Sequence, residues 1–131
     1  MEPKSSEFEI HYVDDAGTHR VQRNGFNLTP RYGKGVASQF VHHGIRLYGN
    51  YVERYSIPDV IHAHSALYGG LLSSEIVRKS GIPYVFTEPA SDYFKNLLKP
   101  QQLLWTGKVF TDSIANIAIS QSLVILSLPI F

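Results

Sequence analysis

Two short polar clusters carry the side chains best suited to chemistry. His62 and His64 stand two residues apart at the end of one apolar run, and Thr87 and Glu88 follow a second apolar run. Residues two apart on a strand share a face, so both imidazoles would lie together. Imidazole, hydroxyl and carboxylate groups bind sugar hydroxyls or move protons, and imidazole is also a common metal ligand. The two clusters therefore indicate either a site for hydroxyl-bearing ligands or a metal site.

A metal site needs more ligands than the two histidines. The pattern His-x-His is a weak signal by itself, and further ligands would have to come from Glu88, Asp92 or Ser65. The chain has no cysteine, which excludes thiolate ligands and thiol nucleophiles. A histidine that packs at a strand end and donates to the backbone is the simpler interpretation of at least one of the pair. We expect no bound metal, and a His-ligated metal hydrolase is the less favoured alternative.

The segment after the histidines has the composition of a turn from a strand into a helix. Such a turn, containing Ser65, Tyr68 and Gly69, offers backbone N–H groups to an anion or to sugar hydroxyls. Gly69 and Gly70 fit close packing of helix against sheet as well as they fit ligand contact. The chain contains no Gly-x-Gly-x-x-Gly, Walker or Gly-x-Ser-x-Gly pattern. A nucleophilic hydrolase therefore has little support.

The elements that would position these clusters alternate between strand and helix. The apolar runs and amphipathic stripes predict strands over 60–63, 82–87 and 116–119, and helices over 66–80 and from Pro100 onward. Gly81 stands where a helix C-cap glycine belongs. This alternation predicts an α/β fold with a parallel sheet covered on both faces, that is, a Rossmann-like arrangement of three layers. Ligands gather at the carboxyl ends of such strands, where both polar clusters fall.

The N-terminal part has a different pattern. Alternating apolar and polar residues, an Asp-Asp-Ala-Gly turn and a basic return segment predict a β-hairpin over 7–25. The expected cross-strand pairs place Glu9 opposite Gln22 and Phe8 opposite Arg23. We interpret the hairpin as a solvated addition to the fold with no role in the site.

Composition limits the classes of function. The chain has 131 residues, 44% of them hydrophobic, which suits one domain over 1–131 with a βαβ core over 34–122 and an apolar tail over 123–131. Twelve Lys and Arg against eleven Asp and Glu give a net charge of +1, so we expect no nucleic-acid partner. No secretory leader is expected, because the start of the chain lacks an apolar stretch. No transmembrane segment is expected, because the apolar tail is too short to span a bilayer. The expected location is the cytoplasm, with peripheral attachment to a membrane as an alternative.

Three blocks together resemble a known family. They are Pro-Asp-Val-Ile-His-Ala-His-Ser-Ala-Leu-Tyr-Gly-Gly over 58–70, Gly-Ile-Pro-Tyr-Val-Phe-Thr-Glu over 81–88 and Ile-Ala-Asn-Ile-Ala-Ile-Ser over 114–120. With the preceding segment 23–31, they are similar to the N-terminal domain of a retaining nucleotide-sugar glycosyltransferase of family 4, which has the GT-B fold. The similarity covers residues 20–122, most of the chain.

This resemblance implies glycosyl transfer in a cleft between two Rossmann-like domains. The N-terminal domain receives the acceptor, here a carbohydrate or a lipid-linked molecule, and a C-terminal domain binds the nucleotide-sugar donor. Transfer in this fold needs no metal, and we expect no other cofactor. The implied acceptor-binding residues are the polar and small residues of two loops: His62, His64, Ser65, Tyr68, Gly69, Thr87, Glu88 and Ser91.

The sequence also departs from the family in three ways. Compared with the family, we expect the opening strand with its glycine-rich loop to be missing before the hairpin and the donor domain to be missing after Phe131. Pro89 stands where many members have a histidine near the transferring sugar, and a proline side chain donates no hydrogen bond there. His64, at the end of a neighbouring strand, is a candidate substitute.

These departures shape the expected function. We assign no catalytic residue and expect a truncated, acceptor-side half of an enzyme that is inactive alone. The alternative is a non-catalytic α/β binding module that pairs with a separate donor domain. In either case, apolar strand edges left open by the missing parts would favour self-association.

Overall fold

The computed structural model of the chain describes residues 9–24, 34–88 and 98–119. The chain divides into two compact units, Met1–Ile57 and Pro58–Phe131. This boundary falls within the predicted core over 34–122, and the organisation as one domain stays a prediction. Among the described residues, every helix is too short or too polar to cross a bilayer.

The first unit contains a β-hairpin and one long helix. β1 (Glu9–Asp15) pairs antiparallel with β2 (Thr18–Asn24), and α1 spans Lys34–Arg54. Ala16 and Gly17 form the turn between the strands, with positive φ angles of 45° and 82°. Two successive residues with positive φ are typical of a type I′ turn, whose twist matches that of a hairpin. The predicted hairpin is therefore confirmed.

The predicted register of the hairpin is wrong by two residues. The observed partners are Ile10 with Arg23 and His11 with Gln22. The prediction had placed Phe8 and Glu9 in these positions. The turn is shorter than expected, because both aspartates before Ala16 still belong to the paired strand. Turn length sets the register of a hairpin, so moving the turn changes every pair.

One face of the hairpin contacts the end of α1. The guanidinium of Arg54 lies 4.4 Å from the centre of the Tyr12 ring. Tyr55 donates its hydroxyl to Asp14 Oδ1 at 2.6 Å, and its ring stacks on His19 with 4.1 Å between centroids. The hydrogen bond from Tyr55, and after it the one from His19, lowers the pKa of Asp14. These contacts pack the hairpin against the C-terminal end of α1.

The second unit is built around a three-stranded parallel sheet. Its strands are β3 (Ile61–His64), β4 (Tyr84–Glu88) and β5 (Ala115–Ala118), in the order β3–β4–β5. The three predicted strands and their parallel pairing are confirmed, with each boundary within one or two residues. The chain is therefore a mixed α/β protein.

Helical segments connect these strands. A π-helical segment (Ser65–Gly70) follows β3 and continues directly into α2 (Leu71–Ser80), and α3 (Pro100–Asp112) precedes β5. Gly81 ends α2 with a φ of 74° and donates its N–H to a carbonyl in the last turn, so the predicted cap is confirmed. The helix predicted over 66–80 exists, but its first part is wound more widely than an α-helix.

The core of the second unit lies between the sheet and the helices. Tyr84, Phe86 and Val109 are fully buried, and Ala63 and Ala66 complete the cluster. The Tyr84 hydroxyl donates to the Val109 carbonyl oxygen at 2.8 Å, which ties β4 to α3. Burial raises the pKa of Tyr84, so this hydroxyl stays a hydrogen-bond donor.

The opposite face of the sheet carries exposed and half-buried side chains. They come from all three strands: His62, His64, Val85, Thr87, Ala115 and Ile117. The π-helical segment, α2 and α3 contact the sheet on the Phe86 side. The sequence predicted coverage on both faces, whereas these helices cover one. The three-layer, Rossmann-like arrangement therefore stays a prediction.

Candidate functional site

The carboxyl ends of β3 and β4 bring three predicted site residues together. His64 pairs with Thr87 in the parallel register, and His62 lies on the same face of the sheet. His62 Nε2 and Thr87 Oγ1 form a hydrogen bond of 2.8 Å. The imidazole rings of His62 and His64 are 4.7 Å apart between centroids. We call these three residues the His62–His64–Thr87 cluster.

The cluster presents hydrogen-bonding groups beside apolar side chains. Both histidines are exposed and Thr87 is half-buried, so the described part of the chain leaves the imidazoles accessible to a ligand. Val85 and Ile117 lie on the same face of the sheet. Neutral imidazole and hydroxyl groups both donate and accept hydrogen bonds, which matches the hydroxyls of a sugar. An apolar surface with a few polar groups is the usual composition of a small-molecule site.

Glu88 does not join the cluster. Consecutive residues on a strand point to opposite faces, so Glu88 lies on the helix-covered side and is only 6% exposed. Its Oε2 accepts the N–H of Ala66 at 2.7 Å. The predicted contact between Glu88 and an acceptor does not fit this geometry, and we assign the residue to support of the turn after β3. Because Thr87 and Glu88 are consecutive on a predicted strand, the sequence already contained the signal that places them on opposite faces of the sheet.

The turn after β3 holds a residue in an unfavourable backbone conformation. Ser65 has a φ of 76°, in the left-handed region that favours glycine, and it opens the π-helical segment. A Cβ at Gly69 would lie 2.7 Å from the carbonyl oxygen of His64, so this position requires glycine. Of the two roles that the sequence left open for Gly69, close packing is the one that this distance supports. Tyr68 is half-buried in the same segment.

Two predicted positions lie outside the described residues. They are Ser91, predicted to bind the acceptor, and Pro89, which stands in place of the family histidine. Their roles stay predictions.

The metal alternative loses one of its predicted ligands. Glu88 lies on the face of the sheet opposite His62 and His64, and its carboxylate is bonded to the backbone. Asp92, another predicted ligand, lies outside the described residues. Within the described ranges, no three His, Asp or Glu side chains come close enough to hold one ion.

A serine nucleophile is disfavoured by the same turn. In nucleophile turns between a strand and a helix, the strained serine is followed by a residue whose N–H stabilises the oxyanion. Ser65 has the strained conformation, but the N–H of Ala66 is bonded to Glu88. A developing oxyanion would meet a carboxylate at this position, which opposes acyl transfer.

Comparison with known proteins adds no family to the class that the fold defines. No protein-family model matches the chain, and no curated protein matches it. The chain is therefore described as a mixed α/β protein whose parallel sheet carries a polar cluster at its carboxyl edge.

Proposed function

We propose that this chain is the acceptor-binding half of a nucleotide-sugar glycosyltransferase of the GT-B type, with its sheet part of a Rossmann-like domain. One observation carries the proposal. The His62–His64–Thr87 cluster lies at the carboxyl ends of two adjacent parallel strands, where open α/β sheets bind their ligands. The sequence blocks over 58–70 and 81–88, on which the resemblance depends, contain the same strand ends.

The residues of the cluster have complementary roles in this proposal. Thr87 orients the His62 ring through Nε2, so Nδ1 is the nitrogen that meets the acceptor. His64, beside it, contacts a second hydroxyl and is the candidate to accept the proton of the attacking hydroxyl. Val85 and Ile117 contact the apolar face of the sugar ring. The nucleotide sugar is held by a second domain, so the chain alone binds an acceptor and transfers nothing.

Titration with simple glycosides, followed by NMR of the backbone amides, tests acceptor binding. Methyl α-D-glucopyranoside and methyl α-D-mannopyranoside are suitable probes, and saturable shifts are expected for amides of 62–69 and 85–88. His64→Ala is expected to weaken binding about tenfold, because one hydrogen bond at a ligand contributes about 1.4 kcal/mol. His42→Ala, which removes an exposed imidazole from α1, is the control and is expected to leave the affinity unchanged.

Two results would contradict the proposal. Absence of saturable shifts over 62–69 with any glycoside would exclude acceptor binding at this edge. Formation of a glycoside product from UDP-glucose or GDP-mannose by the isolated chain would exclude the assignment as a half-enzyme. Binding without transfer is the expected combination.

A further inference from the structure

We propose that His62 and His64 form a two-imidazole binding site for a divalent transition-metal ion such as Zn²⁺ or Cu²⁺, and that the bound ion keeps sugars out of the His62–His64–Thr87 cluster. Metal binding by itself goes beyond the proposed function, whereas the exclusion of sugars rests on it. Among the described residues, no third His, Asp or Glu side chain reaches the pair. Catalytic zinc usually has three protein ligands, so two ligands fit an ion that blocks the site better than one that performs chemistry.

The two rings have the separation of imidazoles that share one ion. A zinc–nitrogen bond of about 2.0–2.1 Å places each ring centre about 3.2 Å from the ion, and angles of about 90–110° at the ion then place the two centres about 4.5–5.2 Å apart. The centroids of His62 and His64 are 4.7 Å apart, with 36° between the ring planes. One ion can therefore join both rings without a movement of the strand.

β3 holds the two histidines in this arrangement before an ion binds. Ala63, between them, is 6% exposed and packs in the core, so His62 and His64 are fixed to the outer face. All four residues of β3 pair with β4. Because the backbone is already ordered, chelation costs little conformational entropy beyond that of the two side chains.

Thr87 selects the nitrogen of His62 that binds the ion. A histidine that binds a metal almost always donates its other ring N–H to a hydrogen-bond acceptor. In the proposed site, His62 Nε2–H donates to Thr87 Oγ1 across the observed 2.8 Å, and the lone pair of Nδ1 meets the ion. Thr87 is therefore a positioning residue, and His64 supplies the second nitrogen.

A second pair of neighbouring histidines lacks these features. His42 and His43 are consecutive on α1, where successive side chains do not share a face, and their centroids are 5.7 Å apart. His43 Nδ1 accepts from Arg23 Nη1 at 2.8 Å and is thereby occupied. The spacing of the pair on β3, rather than histidine content, therefore makes the site, and the pair on α1 provides the control.

Calorimetric titration of the chain without a histidine tag tests metal binding. We expect Zn²⁺ to bind at one site per chain, Cu²⁺ to bind this site more tightly, and Mg²⁺, which prefers oxygen ligands, not to bind. His64→Ala is expected to weaken Zn²⁺ binding at least about tenfold, since loss of an outer partner alone costs about 10–100-fold. His42→Ala is expected to leave the affinity unchanged. Equal affinities of His64→Ala and the wild type would overturn the inference.

NMR of the histidine rings identifies the ligands in the wild type itself, so this test does not depend on a folded variant. Zn²⁺ is expected to shift the ring signals of His62 and His64 together, with the His62 proton on Nε2 and the ion on Nδ1. Thr87→Val, which keeps the shape of the side chain, is expected to weaken Zn²⁺ binding about tenfold and to allow both ring tautomers of His62. Shifts confined to one of the two histidines would contradict a shared ion.

Competition with methyl α-D-glucopyranoside separates this inference from the proposed function. Ion and sugar must weaken each other by the same factor, and we expect saturating Zn²⁺ to weaken glycoside binding at least about tenfold. If Zn²⁺ binds and no glycoside does, the proposed function fails and the metal site stands. If a glycoside binds and Zn²⁺ does not, the metal site fails and acceptor binding is unaffected. Simultaneous binding without loss of affinity would overturn the exclusion of sugars.

Discussion

At the scale of single residues, the space around a glycine decides what an added methyl group does. A Cβ at Gly70 would lie 2.5 Å from Cγ1 of the buried Val109, whereas a Cβ at Gly49 in α1 would meet nothing within 4 Å. We expect Gly70→Ala to lower the free energy of unfolding by about 1–3 kcal/mol through overpacking. Gly49→Ala is expected to raise it by about 0.5–1 kcal/mol, since alanine favours a helix interior.

Urea denaturation of both variants at neutral pH measures these effects. The two changes add the same atoms, so their opposite signs separate packing from helix propensity. A Gly70→Ala chain as stable as the wild type would contradict the close packing between the π-helical segment and α3.

A second prediction at this scale concerns the contact between Arg23 and His43. Arg23 Nη1 donates to His43 Nδ1 at 2.8 Å, so the imidazole accepts and is neutral in this contact. Burial first, and then the charge of Arg23, lowers the pKa of His43 below 6.5. We expect the His43 ring protons to titrate by NMR with a midpoint below 6.5, and Arg23→Met to move this midpoint upward.

The direction of this shift fixes its effect on stability. A histidine whose pKa is lowered by folding contributes stability above its unfolded pKa, and this contribution is lost as the pH falls through the folded pKa. The contact between β2 and α1 is therefore expected to weaken between neutral and mildly acidic pH. A midpoint at or above the ordinary histidine value would contradict the described contact.

At the scale of elements, a polar network joins α2 to α3. Lys108 Nζ donates to Ser74 Oγ at 2.6 Å, and Ser74 Oγ donates to Asp112 Oδ2 at 2.6 Å. Ser74 is 2% exposed, and its replacement removes both of these hydrogen bonds, while the direct ion pair between Lys108 and Asp112 at 3.0 Å remains. Ser74→Ala is expected to lower the free energy of unfolding by about 1–2 kcal/mol. Thr111→Ala, which removes an exposed hydroxyl bonded within α3, is the control and is expected to change it by less than about 0.5 kcal/mol.

The same network predicts a dependence on acid. The hydrogen bond from Ser74, and then the one from Lys108, lowers the pKa of Asp112 below 3.8. Because folding lowers this pKa, Asp112 contributes stability above its unfolded value, and the contribution is lost as the pH falls through its folded pKa. Unfolding free energies measured at about pH 5 and about pH 2 are expected to differ less in Ser74→Ala than in the wild type. An equal difference in both chains would show that Asp112 is not coupled to Ser74.

The elements that were predicted correctly are those that a short stretch of sequence identifies by itself. Apolar runs define β3, β4 and β5, and Gly81 marks the end of α2 by its own conformational freedom. The register of the hairpin depends on a turn in which Ala16 takes a positive φ, and alanine gives no such signal. The bond between Ala66 and Glu88 joins residues 22 positions apart, so no local pattern reports it. The placement of the site was therefore predictable from strand ends, while the division of its polar groups between two faces needed the sheet itself.

At the scale of the whole molecule, the second unit has exposed apolar side chains beside the edges of its sheet. β3 and β5 are the outer strands of the described sheet, and each presents one unpaired edge in the described part of the chain. Val60, Ile114, Ile117 and Ile119, next to or within these strands, are each about half exposed or more. Unpaired strand edges beside apolar side chains are typical surfaces for association.

We therefore expect the chain to self-associate through the sheet. Light scattering after size-exclusion chromatography is expected to give a mass that rises with protein concentration. Ile117, 49% exposed on β5, would bury its exposed half in such a contact, so Ile117→Thr is expected to weaken association about fivefold, for a loss of about 1 kcal/mol. Threonine keeps the preference for a strand, and Leu104→Gln on α3 removes an exposed apolar side chain from the other side of the sheet as a control. A monomeric mass at every concentration would contradict the predicted self-association. It would show that the unpaired strand edges and the exposed apolar side chains do not drive association.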